Sequence, residues 1–151
     1  AAWLDSALPR YELEQLKAVS FGKGAQKFKL LRVTPVSWSM GGGDTWVSDF
    51  KGLKPDDVSL ADSINFETAQ PMVLRYANGL VITYENVGAA TVIWTRISAS
   101  VETVRGQNKT ARDEVRSLAA DINARYKGWA LRFSADRAPI LLPSQAMLEG
   151  R

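Results

Sequence analysis

Neither cysteine nor histidine occurs in this 151-residue sequence. The first absence excludes disulfides, thiolate nucleophiles and cysteine-ligated zinc. The second removes the Ser-His-Asp and Cys-His arrangements and the one side chain that titrates near neutrality unaided. Any catalysis is left to carboxylates, Lys, Tyr and Ser. No uninterrupted apolar run approaches the roughly 20 residues of a membrane-crossing helix. No methionine begins the chain, and the opening Ala1, Ala2 and Trp3 read like the end that signal peptidase leaves behind. A periplasmic or secreted bacterial domain is therefore expected, with the cytoplasm as the alternative, since a lack of cysteine suits both.

What is present fits one globular domain spanning residues 1–151. Hydrophobic residues make up 46% and charged residues 23%, ordinary proportions for a packed core with a solvated surface. A chain of this length buries about 68–70% of its unfolded surface and needs no covalent staple. The net charge of +3 hides an uneven distribution. Residues 40–70 carry Asp44, Asp49, Asp56, Asp57, Asp62 and Glu67 against Lys51 and Lys54, whereas residues 1–35 carry six basic and three acidic side chains. Lys23, Lys27, Lys29 and Arg32 would serve a nucleic-acid partner, but such sites show a denser basic stripe with stacking aromatics. A mixed solvated surface is the preferred reading.

Periodicity sketches the elements. Pro9 suits a first helical turn, and Leu13, Leu16 and Val19 share a helical face, so a short helix is expected over residues 9–20, ended by Gly22 and Gly24. Alternation predicts a strand over 26–40, with Pro35 marking an edge or a bulge. A return strand is expected over 46–50, and Pro55 with Asp56 and Asp57 suggests a helical turn. The clearest hairpin lies at 72–77 and 80–85 around Asn78 and Gly79, a pair that favours a two-residue type I′ turn. That turn sets Tyr76 against Val81 and Leu74 against Thr83, leaving both faces of the ribbon largely apolar. A second turn near 86–88 leads to a strand over about 91–104. A helix follows over 109–127, capped by Asn108 or Thr110 and stopped by Gly128. Trp129, Leu131 and Phe133 begin a last strand, and a turn of helix closes the chain near 145–149. Tight turns force antiparallel pairing. The expected fold is thus α+β, an antiparallel sheet of about five to six strands with a short N-terminal helix and one long C-terminal helix packed on it.

Motifs add little chemistry. Residues 106–110 sit between strand and helix, but a phosphate loop needs more than Gly106 alone; a turn with a cap is expected. Asn108, Lys109 and Thr110 spell a glycosylation sequon, which matters only in a eukaryotic secretory pathway. Ser20 and Lys23 spell Ser-x-x-Lys without the helix start that chemistry requires. The aspartates lack the spacing of a calcium loop, and no two carboxylates are identifiable as a glycosidase pair. No metal or cofactor is expected. The most suggestive surface feature is the Gly41, Gly42, Gly43 run between Trp38 and Trp46, either a binding loop or a turn with both rings in the core.

These observations point to a non-enzymatic binding or assembly domain acting through apolar and aromatic protein contacts, including self-association, with Trp38 and Trp46 as contact residues. The alternative is a small-molecule or enzymatic pocket between a curved sheet and a helix, lined by Arg75, Tyr84, Arg96 and Glu102.

Overall fold

The computed structural model describes residues 12–150. Its centre is an eight-stranded sheet in the order β3-β2-β1-β5-β6-β7-β8-β4. The strands are β1 (Leu16–Phe21), β2 (Phe28–Thr34), β3 (Ser37–Trp38), β4 (Asp57–Leu60), β5 (Gln70–Tyr76), β6 (Leu80–Ala89), β7 (Val92–Val101) and β8 (Trp129–Ser134). Every neighbouring pair is antiparallel. Helices α1 (Gly43–Lys51) and α2 (Lys109–Tyr126) and the one-turn helices α3 (Ala138–Leu141) and α4 (Gln145–Leu148) complete the fold. The α+β class is as expected; the sheet is larger.

One face of the sheet makes the core. Met72, Leu74 and Tyr76 of β5 and Leu80, Ile82 and Tyr84 of β6 are fully buried there. Trp46 and Phe50 from α1, Val115, Ala119 and Ile122 from α2, and Ile140, Leu141 and Leu148 near the C-terminus close over them. The opposite face has a smaller cover. Phe66 and Ala69, on the segment after β4, pack there with Val87 and Ala130, and the Arg96 guanidinium lies 4.5 Å over the Phe66 ring. Beyond that segment, Lys29, Ser98 and Ser100 meet solvent.

Helix α2 begins and ends as the sequence predicts. Asn108 caps it through Oδ1, which accepts from the Ala111 N–H at 2.8 Å, and Gly128 beyond its end has φ +80°. The helix also finishes the sheet. Within β7, only Val92, Ile93, Trp94 and Thr95 pair with β8, so the rest of β7 lacks a strand neighbour on that side. Asn123 on α2 supplies one: its Oδ1 accepts from Ala99 N at 2.7 Å and its Nδ2 donates to Ala99 O at 2.8 Å.

Several expectations are corrected. No α-helix occupies the described part of residues 9–20; residues 9–11 lie outside the described range. A 3-10 turn over Leu13–Gln15 leads into β1. A register shift between Leu16 and Ala18 turns Leu16 and Val19 to the same face three residues apart. That spacing imitates a helix while belonging to a bulged strand. The expected strand over 26–40 is a hairpin, β2 and β3, with Thr34 opposite Ser37 across Pro35 and Val36. Residues 46–50 are helical: Trp46 and Phe50, four apart, share the buried side of α1, although Trp46, Ser48 and Phe50 also fit a period of two. Asp57 opens β4 rather than a helical turn. Strand β6 runs through 86–88, and the turn falls at Ala90 and Thr91, between the paired Ala89 and Val92.

The central hairpin differs by one residue. Arg75 faces Val81 and Leu74 faces Ile82. Gly79 N–H donates to Tyr76 O at 3.1 Å, and Gly79 has φ +94° while Asn78 stays at negative φ. This is a three-residue turn ending in a left-handed glycine. A one-residue slip exchanges every side chain between faces. The ribbon consequently has one wholly apolar face and one mixed face, with Val73, Arg75, Val81, Thr83 and Glu85, instead of two apolar faces.

Candidate binding surface

Trp46 is a core residue, 2% exposed. Its ring stacks on Phe50 at 5.1 Å and meets Phe21 edge-on at 5.5 Å, and its Nε1 donates to Ile140 O at 3.0 Å. Trp38 on β3 is half-buried, with the Arg32 guanidinium 4.4 Å above its ring. The glycines between them serve close packing. A Cβ on Gly43 would fall 2.5 Å from Trp38 Cβ, and one on Gly42 would fall 2.8 Å from Leu148 O. The run seats the start of α1 between β3 and the C-terminal segment.

Arg75, Tyr84, Arg96 and Glu102 do not share a pocket. Tyr84 is buried on the core face, edge-on to Phe50 at 5.7 Å. The other three form two ion clusters on the opposite face. Arg75 lies 3.5 Å from Glu102, which Lys17 approaches at 3.9 Å, and Arg75 Nη1 donates to the buried Ser20 Oγ at 3.2 Å. Arg96 makes a forked pair with Glu85, both bonds 3.1 Å. Pairs this exposed contribute about 0–1 kcal/mol; they order the surface without creating a reactive group.

The remaining candidates are absorbed by structure. Arg32 donates to the carbonyls of Leu16, Pro35 and Leu13 at 2.7, 2.7 and 3.0 Å, so its guanidinium is engaged within the fold, while Lys23, Lys27 and Lys29 are exposed. Arg132 binds Asp56 at 2.6 Å and approaches Asp57 at 3.6 Å. Its pKa is raised, chiefly by the hydrogen bond to Asp56 and then by the nearby carboxylate charges, burial opposing. Ser20 lies within β1, not at a helix start. Among the described residues no three acidic side chains converge as metal ligands, and no helix is long and apolar enough to cross a membrane.

Sequence reasoning missed the exposed apolar residues at the two rims of the sheet. On the β2–β3 rim, Leu31, Val33 and Val36 are 46%, 66% and 81% exposed; on the β4–β8 rim, Leu60 and Trp129 are 59% and 40% exposed. Leu60 and Trp129 face each other across the two strands. The β2–β3 rim has a single sign of charge along its main segment, whereas on the β4–β8 rim Arg132 of β8 pairs with Asp56 and Asp57, and Lys127 precedes Trp129. Residues 16–38 contain Lys17, Lys23, Lys27, Lys29 and Arg32 and no acid, whereas residues 56–67 contain Asp56, Asp57, Asp62 and Glu67 and no base. Those charge runs were visible in the sequence. Their location at opposite ends of one sheet follows from strand order, which was not.

A cavity of about 290 Å³ lies where β1, β2 and β5 meet the C-terminal segment, between Phe28, Gln26, Gln70, Pro71 and Leu142. No charged side chain lines it, and none of Arg75, Tyr84, Arg96 and Glu102 reaches it.

Comparison with protein-family models, with curated proteins and with solved structures finds no match to this chain.

Proposed function

We propose that this chain is a binding and assembly domain that acts through apolar protein contacts at the rims of its sheet. One observation carries the reading: among the described residues, five of the six large exposed hydrophobics lie at the two rims. Scattered apolar residues need no explanation, but grouped ones on a charged border resemble docking sites. Covering a half-exposed valine or leucine returns about 1–2 kcal/mol each, so the β2–β3 rim alone offers a useful docking energy. The central ribbon, whose apolar face is buried in the core, plays no part in this reading. The photo-crosslinking amino acid benzoylphenylalanine, placed in turn at Val36, at Leu60 and at the exposed α2 residue Ala120, tests it in cells producing the protein. Discrete adducts at the two rim positions and none at Ala120 are expected. Absence of rim adducts, or equal labelling at Ala120, would sink the reading.

The uncharged cavity beside Phe28 and Gln70 favours a second reading, a neutral small molecule held by amide side chains on an aromatic base, since ligand sites begin at about 300 Å³. Shifts of the Gln26 and Gln70 side-chain amide resonances on titration with neutral small molecules would support it; unmoved resonances across such a set would count against it.

A further inference from the structure

We propose that Asn78 is a latent modification site: its side-chain amide is lost by cyclisation onto the Gly79 nitrogen, and the fold holds that reaction back until the β5–β6 hairpin opens. The proposal stands apart from the rim-docking reading.

The reaction needs only the chain and water. The Gly79 backbone nitrogen gives up its proton and attacks Asn78 Cγ; the Cγ–Nδ2 bond breaks and ammonia leaves with that proton. Water then opens the cyclic imide at one of its two carbonyls, giving aspartate or isoaspartate. A side chain on the following residue crowds the attack, so glycine in that position favours it most. Of the five asparagines, Asn65, Asn78, Asn86, Asn108 and Asn123, only Asn78 precedes a glycine. The same lack of a side chain serves the fold, since a Cβ on Gly79 would fall 2.6 Å from Glu102 O.

The fold engages each participating group elsewhere. The Gly79 N–H, which must become the nucleophile, donates to Tyr76 O at 3.1 Å. Asn78 O, on the same peptide unit, accepts from Gln107 Nε2 at 2.8 Å. Asn78 Oδ1, on the electrophile, accepts from the Leu80 N–H at 3.0 Å, the bond of an Asx turn. Gly79 itself is buried, and its carbonyl accepts from the Glu102 N–H at 2.9 Å. Attack therefore requires the Gly79 amide to leave its acceptor, lose its proton and meet a rotated Asn78 side chain. Hydrogen exchange at that amide requires the same opening. Each hydrogen bond that must be given up lowers the open population by roughly fivefold. The two products differ in fate. Aspartate keeps the acceptor that the Leu80 N–H uses. Isoaspartate carries the main chain through Cγ and lengthens the turn by a methylene, which is incompatible with Arg75 opposite Val81 and Leu74 opposite Ile82. Opening of the hairpin thus feeds a slow, one-way loss of chains that can refold.

The test incubates the full chain in mildly alkaline buffer, with and without denaturing urea, and follows residue 78 by peptide mass mapping with fragmentation that separates the two acids. Loss of the Asn78 amide is expected to be at least about tenfold slower in the fold than in urea. When the urea-aged sample is refolded, isoaspartate at position 78 is expected to be depleted from the folded monomer and aspartate retained. Gln107→Met keeps the length of the side chain and removes the donor to Asn78 O. It is expected to speed the reaction in native buffer about fivefold while leaving the rate in urea unchanged. If that variant fails to fold, the parent in sub-denaturing urea replaces it, with amide loss expected to rise in step with hydrogen exchange at Gly79. Equal rates in the fold and in urea, no amide loss in urea, or isoaspartate in refolded chains in the proportion at which it formed would each overturn the proposal. So would an unaltered native rate in Gln107→Met, or amide loss that does not follow Gly79 exchange.

Discussion

Asn86 shows how much one buried polar side chain can hold. It is fully buried in the core with Thr95. Its Nδ2 donates to Leu141 O at 2.9 Å and its Oδ1 accepts from Thr95 Oγ1 at 2.6 Å. Substitution by alanine leaves a carbonyl and a hydroxyl without partners and opens a small void. We expect Asn86→Ala to lose about 2–3 kcal/mol in urea unfolding. Thr95→Val in the same background should recover part of that loss by removing one stranded group; a further loss would refute the pairing. Ala90 is the opposite case, a residue in the wrong conformation. It has φ +55° in the β6–β7 turn, a region that disfavours non-glycine residues by roughly 1–2 kcal/mol. Glycine would remove that strain but add unfolded-state entropy worth about 0.4–1 kcal/mol. Ala90→Gly should therefore stabilise slightly, by about 0.5–1 kcal/mol, read as a higher melting temperature. A lower one would mean the turn is not left-handed at Ala90. Neither residue was legible in the sequence: Asn86 looked like a turn signal, and Ala90 carries no turn chemistry.

At the scale of elements, legibility follows whether the local pattern and the tertiary environment agree. Helix α2 was readable because Val115, Ala119, Ile122 and Tyr126 keep one buried stripe between a capping asparagine and a glycine stop. Strand β1 was not, because its bulge converts a period of two into a spacing of three, and only pairing with β2 and β5 decides the matter. The hairpin around Gly79 was found, yet its register was not. Asn-Gly serves both a two-residue and a three-residue turn, and the choice is made by which register buries six apolar side chains together. The same competition between helix and strand is resolved physically by Asn123, where a helix side chain takes the place of a strand backbone beside Ala99. Asn123→Ala leaves the Ala99 N–H and C=O without these partners and should cost about 1–3 kcal/mol. Faster amide exchange at Ala99, with the Val92 to Thr95 pairing to β8 unchanged, is the expected signature. Unchanged exchange would show that the amide does not complete the sheet edge.

For the molecule as a whole, residues 139–150 decide whether the sheet has a sealed core. Three backbone groups of the C-terminal segment are held from elsewhere: Ile140 O by Trp46, Leu141 O by Asn86, and Leu148 O by the Gly42 N–H at 2.7 Å. Ile140, Leu141 and Leu148 are all buried in the main core, each worth about 1.5–3 kcal/mol on transfer from water. Together they contribute on the order of 5–9 kcal/mol, comparable to the 5–15 kcal/mol that keeps a whole domain folded. Ending the chain at Ala138 should therefore remove the cooperative transition, not merely lower it. The expected product keeps far-ultraviolet strand signal, loses the near-ultraviolet signal of Trp46, and binds a hydrophobic dye, the marks of a collapsed state without fixed packing. A truncated chain that still melts cooperatively within a few degrees of the parent would show that α1 and α2 seal the core by themselves. The C-terminal segment would then be a surface attachment, and the cavity beside Phe28 would lose one wall without cost to the fold.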